Sequence, residues 1–237
     1  MTKQWKAFFE KSRFNGNISR DTLLEQVGRT INGKPVDQQE FDLSTLLAIE
    51  KLKLEKDDVL FEYCCGNGVV SYELSKHVRF LIGTDFTEHL IESANLYRSS
   101  ENITYRQGNA LDPIKKFIGD KIPNKFLMSF ALAHFQPDEL HTILADITST
   151  IKNKPVSFLI SGIPDEDQKW NFYNTPERKQ RYLELSNKGD LIFDGIGRWW
   201  TANEIKDIAA KHGFSSEKFI EPGKTNHFRM AILLERQ

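Results

Sequence analysis

A glycine-rich turn and a nearby aspartate stand at the ends of two predicted strands. The segment Glu62–Gly68 reads Glu-Tyr-Cys-Cys-Gly-Asn-Gly and closes the apolar run Val59–Tyr63. Glycines in a strand-to-helix turn let the backbone approach a bound ligand closely. Asp85 ends the next apolar run, Phe80–Asp85, where a carboxylate can accept hydrogen bonds from both hydroxyls of a ribose. The two features together indicate a ligand with a nucleoside part.

Two more polar segments follow later strands. Gly108–Asp112 comes after the third apolar run, Ile103–Gln107, and Ser129–Phe135 closes the fourth, which spans Phe126–Leu132. The carboxyl ends of parallel strands meet at one edge of a sheet, where open α/β folds bind their ligands. We therefore expect these segments to line one crevice.

Strands alternate with helices along the middle of the chain. A fifth apolar run, Val156–Ile160, completes the series, and helical patterns such as the one after Pro137 lie between the runs. This alternation predicts a doubly wound α/β fold with a mostly parallel sheet. Near the C-terminus, Ser216–Glu221 and Phe228–Leu234 are separated by too few residues for a crossover helix. They are predicted to pair antiparallel, which gives seven strands with a hairpin at one edge.

The remaining residues are predicted to form caps on this sheet. We divide the single domain into an N-terminal helical cap at 1–54, a cofactor-binding core at 58–162, an aromatic-rich lid over the acceptor at 163–213 and the strand hairpin at 214–237. Helical patterns in the N-terminal cap fall at 4–14, 20–27 and 39–54. The fold is thus expected to be Rossmann-like with helical caps.

The four strand-end segments resemble those of the class I S-adenosylmethionine-dependent methyltransferases. The resemblance covers 58–162, and the antiparallel C-terminal hairpin also matches that family's reversed last strand. The family's first loop is acidic-x-Gly-x-Gly-x-Gly. This chain keeps Glu62, Gly66 and Gly68 but has Cys64 at the first glycine, and it has Asn109 where an aspartate is usual.

The resemblance implies a role for each matching residue. Residues expected to hold the methionine part of S-adenosylmethionine are Glu62, Cys64, Cys65, Gly66 and Gly68, with Gln26 and Arg29 of the N-terminal cap as candidates for its carboxylate. Residues expected around the nucleoside are Asp85 at the ribose and Phe86, Asn109 and Ala110 at the adenine. Ser129 and Phe130 would face the methyl group. The implied product is S-adenosylhomocysteine.

Methyl transfer needs a general base only when the acceptor is a hydroxyl or a charged amine. His134 is the candidate, because it follows the fourth strand beside the expected methyl position. A helix-capping or core role for His134 remains open. The two cysteines, Cys64 and Cys65, are interpreted as packing residues rather than nucleophiles.

The predicted lid concentrates large aromatic residues. Those expected to bind the acceptor are Trp170, Tyr173, Trp199 and Trp200, together with His134. The alternative is that these aromatic residues do not bind the acceptor and only pack the lid onto the sheet. Aromatic walls with interleaved cations would suit an acceptor that has an anionic or sugar-like part.

Composition excludes several other classes. The 237 residues carry 32 Lys and Arg against 33 Asp and Glu, a net charge of −1, which argues against a nucleic-acid acceptor. No apolar run approaches the roughly 18 residues of a membrane span. Two adjacent cysteines give no disulfide framework and favour a cytoplasmic location, and no metal-ligand spacing occurs.

The sequence thus predicts an S-adenosylmethionine-dependent methyltransferase acting on oxygen or nitrogen of a small molecule. A sugar or surface-polysaccharide precursor is one alternative acceptor. An NAD(P)-dependent oxidoreductase is an alternative from another class, although Gly66-x-Gly68-x-x-Ser71 lacks the third glycine of that motif. An inactive cofactor-binding subunit is a further alternative. Oligomeric state is left open.

Overall fold

The computed structural model of the protein describes residues 19–31, 33–152, 154–187 and 196–237. The helix predicted at 4–14 lies outside these residues. The other two predicted N-terminal helices are present as α1 (Arg20–Gln26) and α2 (Gln38–Leu52), with a short hairpin of β1 (Thr30–Ile31) and β2 (Lys34–Pro35) between them.

The described residues form one large sheet of seven strands in the order β5-β4-β3-β6-β7-β9-β8. Its strands are β3 (Val59–Tyr63), β4 (Phe80–Asp85), β5 (Ile103–Gln107), β6 (Lys125–Ser129), β7 (Val156–Pro164), β8 (Ser215–Ile220) and β9 (Arg229–Arg236). Neighbours from β5 to β7 pair parallel, while β9 pairs antiparallel with both β7 and β8. The predicted fold class is confirmed.

Helices cover both faces of the sheet. They are α3 (Val69–Ser75), α4 (Glu88–Tyr97), α5 (Lys115–Ile118), α6 (Pro137–Ile151), α7 (Lys169–Phe172), α8 (Pro176–Asn187) and α9 (Ala202–Ala210), in addition to α1 and α2. Since successive strand residues point to opposite faces, Phe61 packs with α6 and α9 whereas Leu60 packs with α1, α2 and α3. Both faces of β3 are therefore buried, which explains its continuous apolar run.

The strand order places a ligand crevice at β3. The chain runs from β3 outward to β4 and β5 and then returns to the other side of β3 as β6 and β7. Helices that follow β3 and β6 must leave on opposite faces, so the two loops separate at the carboxyl ends of these strands. This switch point lies beside Glu62 and Ser129.

Strands β6 and β7 differ from the prediction at their carboxyl ends. Strand β6 stops at Ser129 because Phe130 adopts a left-handed backbone with φ +56°, and a 3₁₀ turn follows at Leu132–His134. Strand β7 continues past Ile160 to Pro164, with an irregular register between Ile160 and Ile163 where Gly162 has φ +67°. The irregularity brings Gly162 against Phe130.

The predicted lid divides into two parts. Helices α7 and α8 carry three of its six described aromatic residues, Trp170, Phe172 and Tyr182. By contrast, Ile205, Ile208 and Ala209 of α9 are buried in the main core. The helix α9 begins at the predicted cap, with the Thr201 hydroxyl accepting a hydrogen bond from the Glu204 backbone at 3.1 Å. Its packing belongs to the sheet rather than to a separate lid.

Candidate active site

A crevice of about 640 Å³ opens at the carboxyl ends of β3, β4 and β6. Its lining residues are Val27, Arg29, Glu62, Cys64, Cys65, Gly66, Val69, Val70, Asp85, Phe86, Leu90, Ser129, Phe130, Ala131 and His134. Segments distant in the chain therefore meet at one site, as their positions at strand ends predicted.

The glycine-rich turn is held in an unusual backbone conformation. Cys64, Gly66 and Gly68 have φ values of +55°, +56° and +77°. At Gly68, a Cβ atom would lie 2.5 Å from the Tyr105 hydroxyl, so only glycine fits there. Cys64 thus adopts the left-handed conformation that a glycine takes freely. Strain of this kind at a non-glycine residue concentrates at functional sites.

Glu62 is a buried carboxylate at the floor of the crevice. It is 2% exposed and accepts a hydrogen bond from the hydroxyl of Ser71. Burial raises its pKa to about 7, while the Ser71 hydrogen bond and the charge of Arg29 act in the opposite direction. A bound cation would hold Glu62 ionised at neutral pH.

Asp85 is fixed by two backbone donors. Its Oδ2 accepts a hydrogen bond from the Gly66 N–H at 3.1 Å, and its Oδ1 accepts one from the Thr87 N–H at 2.8 Å. Burial raises its pKa, and these hydrogen bonds oppose the increase. Each oxygen has a second acceptor position, which is the arrangement that two vicinal hydroxyls require.

Arg29 and Phe130 form one wall of the crevice. The guanidinium carbon of Arg29 lies 3.6 Å from the centroid of the Phe130 ring, and its Nη2 donates to Ser129 Oγ at 3.0 Å. Burial lowers the pKa of Arg29 to about 10, with the carboxylates of Glu221 and Glu62 opposing the decrease. Arg29 therefore stays charged at neutral pH.

Two side chains of the C-terminal hairpin hold the backbone beneath this wall. Glu221 accepts a hydrogen bond from the Gly162 N–H at 2.9 Å, and Arg229 Nη1 donates to the Gly162 carbonyl at 2.6 Å. A Cβ atom on Gly162 would lie 2.3 Å from the Phe130 ring. Gly162 thus forms the surface on which Phe130 rests.

His134 lines the crevice from the 3₁₀ turn after β6. Burial lowers its pKa to about 4, and the charge of Arg229 contributes to the decrease. The imidazole is therefore neutral at pH 7 and able to accept a proton. Its low pKa makes it a weak base until a negative charge lies near it.

The cysteines behave as packing residues. Both are free thiols, and burial raises the pKa of each well above its usual range. The thiols therefore stay protonated, which disfavours nucleophilic chemistry.

Several predicted cofactor residues do not line the crevice. The amide oxygen of Gln26 accepts a hydrogen bond from Asn67 at 2.8 Å, so Gln26 supports the glycine-rich turn from behind. Gly68 begins α3 beneath that turn. Asn109 is exposed, and its Oδ1 accepts a hydrogen bond from the Leu111 N–H at 2.9 Å in a local turn that also places Ala110 outside the crevice.

The predicted acceptor aromatics also lie outside the crevice. Trp200 is fully buried in the main core, where its indole N–H donates to the Leu132 carbonyl at 3.2 Å. Tyr173 and Trp199 pack with Phe228 in a smaller cluster, and Trp170 is 46% exposed. A role for these four residues in acceptor binding stays a prediction.

Sequence reasoning missed five lining residues. They are Val27, Val69, Val70, Leu90 and Ala131. All are apolar and belong to patterns that equally describe core packing. Only the position of Val69 and Val70 directly after the glycine-rich turn could have indicated them.

The described residues contain no cluster of three or more His, Cys, Asp or Glu side chains able to hold a metal ion. Among the same residues, no helix has the length and apolar character needed to cross a membrane.

Comparison with known proteins agrees with this geometry. Residues 60–154 match the family model of a methyltransferase domain. A curated relative from Methanococcus maripaludis, named as a probable cobalt-precorrin-6B C(15)-methyltransferase (decarboxylating), is 34% identical over 95 residues. The match covers 39% of this chain and 51% of the relative, so the chain spans about half the length of that relative.

Solved structures resemble the fold over more of the chain. Magnesium protoporphyrin IX methyltransferase from Synechocystis with bound S-adenosylhomocysteine superposes with a TM-score of 0.60 at 14% identity, covering 99% of this chain and 95% of that one. A putative methyltransferase of Haloferax volcanii, solved with its activator, gives a TM-score of 0.61 at 13% identity and covers 83% and 90% of the two chains. Residues 60–154 therefore resemble a methyltransferase domain, and the fold of the chain is the one seen in solved S-adenosylmethionine-dependent methyltransferases.

Proposed function

We propose that this protein binds S-adenosylmethionine in the crevice and transfers its methyl group to an oxygen or nitrogen of a small molecule. The observation that carries the proposal is the convergence of Glu62, Asp85 and Arg29 around the glycine-rich turn. The seven-stranded sheet with its antiparallel β9 favours this function over an NAD(P)-dependent oxidoreductase.

The charges of the crevice fit the cofactor. Glu62 can accept from an ammonium group, and the fork of Arg29 can donate to a carboxylate. Asp85, oriented by the Gly66 and Thr87 N–H groups, can accept from two ribose hydroxyls. Phe86 and Leu90 offer apolar contact for a base. When bound, S-adenosylmethionine supplies an activated methyl group.

The protein's own contribution is placement and exclusion of water. Ser129, Phe130 and His134 line the crevice at the end of β6, where the acceptor would approach the methyl group. His134 is neutral at pH 7 and could take a proton from a hydroxyl or an ammonium group. The family match ends at residue 154, so the acceptor is inferred from this chain's own residues beyond that point.

The cofactor assignment is tested by calorimetric titration of wild type and Asp85→Ala with S-adenosylmethionine. We expect wild type to bind in the roughly micromolar range and Asp85→Ala to lose binding. Asp58→Ala is the matched control, because Asp58 is also buried and accepts a hydrogen bond from a backbone N–H, that of Glu55, but precedes β3 at the opposite edge of the sheet. Equal affinity for Asp85→Ala and Asp58→Ala would refute the ribose assignment.

The base assignment is tested by His134→Ala in a methyl-transfer screen over small hydroxyl and amine acceptors. We expect turnover to fall while S-adenosylmethionine affinity is retained. Unchanged turnover on every accepted substrate would remove His134 from the reaction.

A further inference from the structure

A second arginine, Arg229, lies against Phe130 of the crevice wall and has no ion-pair partner among the described residues. The guanidinium carbon of Arg229 is 5.2 Å from the centroid of the same Phe130 ring that carries Arg29. In the described part of the chain, neither arginine has a carboxylate oxygen within 4.0 Å. Two positive charges thus share one aromatic ring.

Two carboxylates act on this pair of arginines: Glu221 acts on both, and Glu62 acts on Arg29 alone. Glu221, the carboxylate nearest in effect to Arg229, is already hydrogen bonded to the Gly162 N–H. Burial lowers the pKa of Arg229 to about 10, and the charge of Arg29 adds to the decrease. Both arginines stay charged at neutral pH, so an incoming anion would relieve their repulsion and replace lost solvation.

The donors of Arg229 are arranged to receive such an anion. Its Nη1 is occupied by the Gly162 carbonyl at 2.6 Å, which fixes the plane of the guanidinium. The Nε and Nη2 atoms form the opposite edge of the fork and have no hydrogen-bond partner among the described residues. This edge is the one that binds a carboxylate with two parallel hydrogen bonds.

The surroundings of Arg229 indicate what the rest of the ligand would contact. The guanidinium carbon also lies 4.7 Å from the centroid of the Phe228 ring. Phe228 packs against Phe172 at 4.4 Å and Trp199 at 5.8 Å between ring centroids. On the other side, Arg229 acts electrostatically on His134 in the crevice. The arginine therefore lies between the expected reaction position and an aromatic cluster.

We propose that Arg229 binds a carboxylate of the methyl acceptor, whose apolar body contacts the Phe228 cluster. This inference rests on the proposed function, in which Arg29 binds the cofactor's carboxylate and leaves Arg229 for the acceptor. Arg229 then determines specificity for anionic acceptors over neutral ones of the same shape.

The test uses benzoate and benzamide as probes, since they differ in charge but little in shape. Protein saturated with S-adenosylhomocysteine is titrated while the ¹⁵N–¹H signal of Arg229 Nε, assigned by its loss in Arg229→Lys, is followed by NMR. We expect a saturable shift with benzoate and none with benzamide. In a parallel calorimetric titration, Arg229→Gln should bind benzoate at least tenfold more weakly than the wild-type protein.

The matched control is Arg98→Gln. Arg98 also lies over an aromatic ring, that of Tyr72 at 5.6 Å, and donates to a backbone carbonyl, but it is outside the crevice. This variant should bind benzoate as wild type does. An Arg229 signal that does not shift, or that shifts equally with benzamide, would overturn the inference.

The two proposals can fail separately. If S-adenosylhomocysteine does not bind, the proposed function is refuted, and the benzoate titration of the ligand-free protein still reports on Arg229. If S-adenosylhomocysteine binds but the benzoate response is absent, only the anionic-acceptor inference is refuted.

Discussion

Replacing Gly162 by alanine tests how the hairpin shapes the crevice. The new Cβ would lie 2.3 Å from the Phe130 ring, and the backbone would keep φ +67°. A left-handed non-glycine residue costs about 1–2 kcal/mol, and overpacking costs about 1–3 kcal/mol. We expect Gly162→Ala to lower the free energy of unfolding by about 2–5 kcal/mol, a fall in Tm of roughly 5–15 °C for a chain of this size.

A matched variant separates the two costs. Gly213, which follows α9, also has a positive φ of +78°, but a Cβ placed there would meet only Arg236 Cδ at an ordinary contact distance of 3.8 Å. Gly213→Ala should therefore show only the backbone cost, about 1–2 kcal/mol. Urea denaturation followed by circular dichroism measures both variants.

Gly162→Ala should also weaken ligand binding in the crevice. Alanine at 162 must displace the Phe130 ring, on which Arg29 is stacked at 3.6 Å. We expect affinity for S-adenosylhomocysteine to fall about tenfold in Gly162→Ala, or by roughly 1.4 kcal/mol, and to be unchanged in Gly213→Ala.

A double-mutant cycle that combines Gly162→Ala with Phe130→Ala tests whether Gly162 supports the Phe130 ring. Removing the ring makes room for the new methyl group, so the double variant should be more stable than the sum of the single changes predicts, by about 1–3 kcal/mol. Additive costs, or equal stability of Gly162→Ala and Gly213→Ala, would show that Gly162 does not support Phe130.

Other predictions concern the charge, the support and the aromatic residues of the site. Because the pKa of Glu62 is about 7, the ionised fraction of its carboxyl group falls about tenfold from pH 8 to pH 6, and the affinity for S-adenosylhomocysteine measured by calorimetry should fall similarly. Glu62→Gln should remove this pH dependence. A steep pH profile in Glu62→Gln would contradict the assignment of Glu62 to the ammonium group of the ligand. Asn67→Ala removes hydrogen bonds to the Leu23 carbonyl and Gln26 and should cost about 1–3 kcal/mol in urea denaturation, whereas a loss below 0.5 kcal/mol would mean that α1 is held by other contacts. Trp200→Ala should cost about 3–5 kcal/mol, while the half-exposed Trp170→Ala should cost under about 1 kcal/mol; similar losses would contradict the different burial of the two indoles.

The sheet could be predicted from the sequence because its signals are local. Each parallel strand is a short apolar run bounded by turn residues, and each covering helix shows its own periodicity. The same locality made Glu62 and Asp85 identifiable, since both end strands next to recognisable turns. Their hydrogen bonds to Ser71 and to the Gly66 and Thr87 N–H groups follow from that placement.

The crevice wall could not be predicted because it depends on long-range pairing. Arg229 reaches Gly162 only through the antiparallel register that places it opposite Pro164. Likewise, nothing local distinguishes Trp200, buried in the core, from Trp170 at the surface. Burial of aromatic residues is decided by tertiary packing.

The central claim is that the crevice binds the sulfonium cofactor of a methyltransferase. Calorimetric titration of the wild-type protein with S-adenosylhomocysteine and, separately, with NADH tests it most directly. The structure predicts one site of roughly micromolar affinity for S-adenosylhomocysteine and no heat of binding with NADH. Binding of NADH together with no binding of S-adenosylhomocysteine would contradict the claim.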